Sequence, residues 1–430
     1  MTSSAYRPLK EGNAASETSF SVNFIALLIG LGFLFFCRVN FFWDTTALFA
    51  WFALIVTASA AVLEFFVYPE TSPLRKWRIL RPADWKRIFY KETALLFTFG
   101  VIAFCYWLFP VFSSENFTSR YFPFLEMIAP YLIVGSVPYF YLMDRIDPEE
   151  KDIYYNIGYA ILHLKKTVTR FELGNYVRIW LVKAFWLSLM QPGMIEKIIW
   201  VLNYDPAYMK GNPVEAFWTL NAFCFLIDLS YASVGYLMNF KILNTQTRTA
   251  EPTLLGWVVA VMCYWPFWAT LFYPQFFAYE TTSWLILLRQ GSFFWWTCFV
   301  SIIGLELLYA LATVAAGTRF SNLTYRGLWN TGLYRYTKHP AYVFKNISWW
   351  LIALPFMRED LSSAVRCSFF LFGVNLIYYL RAKTEERHLS HYPEYEAYAL
   401  EMNEKSIFKG VARLLPFLKY KPLEKDKRIF

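Results

Sequence analysis

The stretch Gly332-Leu-Tyr-Arg-Tyr-Thr-Lys-His-Pro-Ala-Tyr342 stands at the mouth of an apolar helical hairpin, and Arg381-Ala-Lys-Thr-Glu-Glu386 follows about forty residues later. Charged and imidazole groups are costly in a bilayer. The chain has only four histidines, and three of them, His339, His388 and His391, fall in its last quarter. Two polar segments at one edge of an apolar hairpin predict a site at that edge.

Outward from this hairpin the sequence describes a membrane protein. Of 430 residues, 57% are hydrophobic and 21% aromatic, and apolar stretches recur from Ser21 onward. Each is near the ~20 residues a helix needs to cross ~30 Å of hydrocarbon. The expected fold is all-α, a polytopic transmembrane helix bundle of about ten spans with a C-terminal cytoplasmic catalytic cap. The spans are expected at 21–39, 46–67, 93–113, 125–143, 178–201, 216–240, 253–273, 292–317, 341–357 and 364–380. Lys183, Pro192 and Gly193 interrupt the fifth, and the ninth is short and forms a hairpin with the tenth.

Charge placement orients the chain. Basic residues crowd the segments 75–91, 144–178, 241–248 and 319–338, while the loops 114–124, 203–215 and 274–291 carry few. Alternation of this kind follows the positive-inside rule. It places both termini and residues 318–345 in the cytoplasm, in a bacterial inner membrane or an ER membrane. The formal charge of +9 then reflects topology and attraction to anionic headgroups, not nucleic-acid binding.

Residues 1–20 read as a mobile tail, 21–317 as a transmembrane bundle and 318–410 as the catalytic region. Residues 411–430 read as a basic C-terminal tail. The first span is too long and too far in for a cleaved signal peptide. Six cysteines fall in different expected spans without a Cys-x-x-Cys pair, which predicts neither a disulfide framework nor a metal site. Apolar residues at 153, 157, 161, 164, 168 and 171 predict one helix over 153–171, either amphipathic at the membrane surface or an ordinary solvated connector. His163 on that helix reads as structural or solvent-facing. The basic segment 70–92, with Trp77 and Trp85, reads as an interfacial anchor.

Proline suits the first turn of a helix because it lacks only an N–H that would be unpaired there. Pro340 is therefore expected to open the ninth helix. At 100° per residue, His339, Tyr342, Asn346 and Trp350 share one face of it. The free N–H groups at its start suit a carboxylate or phosphate. Arg381, Glu385 and His388, spaced i, i+4, i+7, share a face of the next helix, and Glu386 points elsewhere. A hairpin brings these two ends together. The plain alternatives are headgroup anchoring by His339 and Tyr342 and an ordinary salt bridge between Arg381 and Glu385.

Gly332, Tyr334, Tyr336, Lys338, His339, Pro340 and Tyr342, followed by Arg381, Glu385, Glu386, Tyr395 and Tyr398, resemble the signature of the isoprenylcysteine carboxyl methyltransferase family, whose wider group includes membrane phospholipid methyltransferases. The resemblance covers roughly residues 318–410. It implies S-adenosyl-L-methionine as cofactor and a lipid-like or prenylated acceptor at the cytoplasmic face, with no metal. By position it implies that Tyr334, Lys338, His339, Pro340, Tyr342, Arg381, Glu385 and Glu386 line the cofactor pocket. Among these, His339, Arg381 and Glu385 carry the catalytic role. Arg335, Asn346, Trp350 and Glu306 are expected on the acceptor side.

The chain departs from the family pattern at two places. Lys338 replaces the usual arginine before His-Pro and lacks its bidentate fork. Tyr392-Pro393 replaces the usual Phe-Gly before the Tyr-x-x-Tyr element. Residues 1–300 show no resemblance and are expected to hold substrate choice. Two rival classes stay open: an NADPH-dependent sterol or enone reductase of related architecture, and a membrane receptor or transporter using Glu64, Asp228 or Glu306. Pro340-Ala341-Tyr342 and Glu385-Glu386 favour the methyltransferase.

Overall fold

The computed structural model describes residues 16–40, 44–67, 72–109, 120–268 and 283–423. The described helices are α1 Phe20–Asn40, α2 Thr45–Val67, α3 Trp85–Leu108, α4 Tyr121–Ile146, α5 Ile153–His163, α6 Arg170–Asn203 and α7 Pro213–Leu237. They continue with α8 Leu254–Val261, α9 Trp284–Leu287, α10 Phe293–Ala316, α11 Pro340–Ala353, α12 Leu361–Leu389, α13 Pro393–Lys405 and α14 Lys409–Leu414. Seven of them, α1, α2, α3, α4, α7, α10 and α12, are long and apolar enough to cross a membrane. Large side chains such as Trp107, Val134, Phe369 and Phe372 project from these helices into the surroundings. That suits hydrocarbon, where helices satisfy every backbone group internally.

The other three expected spans differ. The fifth lies inside α6, a continuous helix through Pro192, but α6 is not among the seven. The seventh, 253–273, is described as far as residue 268 and opens with the eight-residue α8. Beyond Val261 the bonds Cys263 N–H to Ala260 and Tyr264 N–H to Val261 tighten into turns ahead of Pro266, which has no N–H to extend a helix. Residues 269–282 lie outside the described residues. The ninth is α11, whose 14 residues reach about 21 Å at 1.5 Å per residue.

The expected single helix over 153–171 is also corrected. α5 stops at His163 because Leu164 is left-handed at φ 51°. α6 then starts anew with a capping box in which Thr169 and Glu172 satisfy each other's backbone N–H. His163 is exposed and stacks on Tyr159 at 4.1 Å.

The chain divides into two compact units. One comprises residues 25–204 and 232–250. Within it α3 packs on α4 and α5, and α6 packs on α2 and α4. α3 and α5 meet closely: a Cβ on Gly158 would fall 1.8 Å from the Tyr90 carbonyl oxygen, so only glycine permits the crossing. Ion pairs tie the polar ends. Arg87 grips Asp144 at two points, 2.9 and 3.0 Å, and fully buried Lys91 meets Asp152 at 3.1 Å.

The other unit comprises residues 1–24, 205–231 and 251–430. There α11 packs on α10 and α12, and α8 on α12. Ala353, Cys367, Leu371, Val374 and Tyr378 form the hairpin core, with Tyr342, Trp349 and Trp350 against it. As expected, Pro340 opens α11 with His339 as its N-cap. Leu354 in the left-handed conformation, followed by Pro355, ends it. Asp360 then caps α12 by accepting from Ser363 N–H at 2.8 Å.

Part of each expected tail is built into this unit. Glu17 N–H donates to Leu328 O at 2.8 Å and Phe20 N–H to Thr331 Oγ1 at 3.1 Å. At the other end Tyr420 is buried with Tyr395, Tyr398 and Met402. Residues 1–15 and 424–430 lie outside the described residues.

Candidate active site

α12 is the axis of the site. At 100° per residue it directs Arg381, Glu385 and His388 to one side and Glu386 to another. The first three line one small cavity, joined by Tyr342 from α11, Asn322 and Thr324 from the segment before the hairpin, and Glu251 ahead of α8. Its volume is about 30 Å³, room for about two waters.

Arg381 is buried and its guanidinium lies 5.0, 5.6 and 5.8 Å from the rings of Tyr342, Tyr264 and Tyr378. Each ring face attracts the cation. One guanidinium nitrogen donates to Asn322 Oδ1, and Asn322 Nδ2 donates to the Tyr264 hydroxyl at 3.1 Å. Glu385 accepts from the Tyr342 hydroxyl at 2.7 Å. His339 stacks parallel to Tyr342 at 5.4 Å and its Nδ1 stands 4.0 Å from Glu385 Oε2. The two motifs, separated by the whole hairpin, thus meet.

Glu386 gathers cations on the neighbouring side. Its carboxylate meets Lys338 Nζ at 2.6 Å and Lys383 Nζ at 2.8 Å, with His339 Nε2 at 3.3 Å. Lys383 also donates to the Lys419 carbonyl at 3.0 Å. Burial pulls the Lys338 ammonium below the ordinary lysine value, against the opposing pull of Glu386. Glu386 therefore knots the start of α11, the end of α12 and the C-terminal segment.

The remaining expected residues are dispersed. Tyr334 holds the cap, its carbonyl accepting from the Tyr398 hydroxyl at 2.7 Å. Burial raises the pKa of both phenols, so each stays protonated. Arg335 is exposed, and Pro340 is buried in the first turn of α11. Asn346 and Trp350 lie on the face expected for them, but they bind α12: Asn375 donates to Asn346 at 2.6 Å and accepts from the Trp350 indole at 2.9 Å. Glu306 lies on α10 and accepts from Asn221 at 2.7 Å; neither it nor Lys338 lines the cavity.

Sequence reasoning missed Glu251, Asn322, Tyr264, Thr324 and Lys383. Lys383 had a signal, since i, i+3 spacing to Glu386 suits an ion pair. Glu251 had none: an isolated acid between Ala250 and Pro252 announces nothing until the chain is folded.

Fold and site define a polytopic helical membrane protein whose polar chemistry converges at one end of a hairpin. Residues 296–391 match the isoprenylcysteine carboxyl methyltransferase (ICMT) family. The match covers less than a quarter of the 430 residues and contains both motifs, so the resemblance read from residues 332–342 and 381–386 is borne out for the C-terminal region. No curated protein and no solved structure matches the chain.

Proposed function

We propose that the protein is an integral membrane S-adenosyl-L-methionine-dependent methyltransferase acting on a lipid-like or prenylated acceptor at the cytoplasmic face. One observation carries this reading: in the segment that matches the methyltransferase family, Tyr342 and Arg381/Glu385 converge on one polar cavity. The donor set suits the cofactor. A buried guanidinium and two carboxylates, Glu385 and Glu251, offer complementary charges to a zwitterionic amino-acid group, and Thr324 Oγ1 is buried there without a hydrogen-bond partner.

When bound, the cofactor supplies an electrophilic methyl group. The chain's own residues supply position and dryness, which are most of what a displacement needs. Arg381 is immobilised by its three tyrosines and Asn322, and Glu385 by Tyr342. His339, between Glu385 and Glu386, stands where a proton from an amine acceptor could be held; a carboxylate or thiolate acceptor needs no base.

The finer assignments are part of the same reading. Both termini and residues 318–345 are cytoplasmic, supported by the alternation of basic loops. The count of about ten spans adds α6, residues 253–273 and α11 to the seven long apolar helices. Residues 21–317 set acceptor choice and 318–410 hold the chemistry, with the acceptor arriving from the bilayer among aromatic walls.

The test is incubation of the purified protein in lipid vesicles with isotopically labelled S-adenosyl-L-methionine and mass spectrometry of the extracted lipids. Label in an amphiphilic product, with stabilisation by S-adenosylhomocysteine and not by NADP, is the expected result. Stabilisation by NADP alone would assign the protein to the reductases instead.

A further inference from the structure

Glu251 lies outside the matched segment 296–391, yet it is 1% exposed and lines the same cavity as Arg381 and Glu385. Its two carboxylate oxygens are used differently. Oε1 accepts from Thr253 N–H and from an Arg387 guanidinium nitrogen, each at 3.0 Å. Oε2 is buried without a hydrogen-bond partner, with His388 Nδ1 no nearer than 4.0 Å. A buried carboxylate oxygen left unsatisfied is expensive.

The backbone around Glu251 is fixed. Its N–H donates to Leu323 O at 2.7 Å and its carbonyl accepts from the Trp257 indole at 2.8 Å. A Cβ on Gly256 would stand 2.4 Å from Glu251 Cγ, so glycine there leaves the space the side chain fills. A second buried polar atom in the cavity, Thr324 Oγ1, also has no partner. The cavity thus holds a fixed, half-satisfied carboxylate and a hydroxyl that can accept, in a space the size of a small terminal group.

We infer that Glu251 Oε2, assisted by Thr324 Oγ1, receives the α-ammonium group of the cofactor. This rests on the methyltransferase reading above. An ammonium is opposite in charge to the carboxylate, has three donors to distribute, one of them for the oxygen that Arg387 leaves unsatisfied, and a bulk close to that of a water. A segment outside the family match would then supply part of the cofactor site in this chain.

The experiment compares Glu251→Gln with the unaltered full-length protein in detergent, by calorimetric binding of two ligands. One is S-adenosylhomocysteine; the other is its deaminated analogue, which lacks only the α-amino group. Glutamine keeps an acceptor for Thr253 and Arg387 but turns a donor toward the cavity. The expected result is about a 30-fold loss of affinity for S-adenosylhomocysteine, the scale of one charge-assisted hydrogen bond, with affinity for the analogue unchanged. Thr324→Val should show a smaller loss with the same selectivity. Equal losses for both ligands, or none for either, overturn the assignment of Glu251 while leaving the methyltransferase reading intact. Failure of the unaltered protein to bind S-adenosylhomocysteine overturns both.

Discussion

Tyr342 and Glu385, forty-three residues apart on opposite arms of the hairpin, are joined by a hydrogen bond of 2.7 Å from phenol to carboxylate. The bond sits beside the Arg381 cation, which lies 5.0 Å from the same phenol ring. One tyrosine thus aims a carboxylate and shields a guanidinium.

Tyr342→Phe keeps the ring and removes the donor. Glu385 then loses its fixed orientation, and affinity for S-adenosylhomocysteine should fall about tenfold, the scale of one hydrogen bond to a charged acceptor. Calorimetry measures it. Unchanged affinity would reduce the pair to packing.

Arg381→Lys should abolish detectable cofactor binding although the charge is kept. An ammonium lacks the planar fork that reaches Asn322 while lying among Tyr264, Tyr342 and Tyr378. Circular dichroism and gel filtration should report a folded protein. Retained binding would show that charge alone suffices at this position.

Glu386→Ala leaves two lysines and a histidine without their common carboxylate. Breaking a buried pair costs about 3 kcal/mol or more, so the detergent-solubilised protein should melt at a clearly lower temperature. Adding Lys338→Met should restore part of the loss, because it removes the stranded buried ammonium. Strictly additive losses in the double-mutant cycle would contradict the coupling.

Gly317 has φ 57°, and a Cβ there would stand 2.3 Å from the Asn23 amide. Gly317→Ala should therefore destabilise the protein by on the order of 2 kcal/mol through strain and collision. Gly100 in α3 has open space around its Cβ position. Gly100→Ala should be neutral or stabilising, by up to about 1 kcal/mol. Thermal melts of the two variants side by side check both expectations.

A cysteine introduced at the exposed Arg335, three residues before Lys338, should label with an impermeant maleimide only from the cytoplasmic side of sealed vesicles. Labelling from the opposite face alone would invert the topology.

The membrane class, the apolar helices and the meeting of the two polar motifs at one end of the hairpin were legible in the sequence, because each depends on local pattern. Hydrophobic length marked the spans, Pro340 marked the start of α11, and the 3.6-residue period placed Arg381, Glu385 and His388 on one face of α12. The two motifs also carried the family resemblance. Breaks in pattern were harder to see. The stop at Leu164 and the turns after Val261 are decided by backbone conformation at single residues, which averages over apolar windows do not register.

Partnership was decided by tertiary structure alone. The sequence could not say that Glu386 would share its charge with Lys338, or that Asn346 and Trp350 would bind Asn375. Nor could it say that residues 17–23 would brace the segment before Gly332. It gave no sign that Glu251, 130 residues ahead of Arg381, would line the same cavity. Helical periodicity fixes directions within one element. Which charges meet, and which buried oxygen is left without a donor, follows only from how separate elements pack.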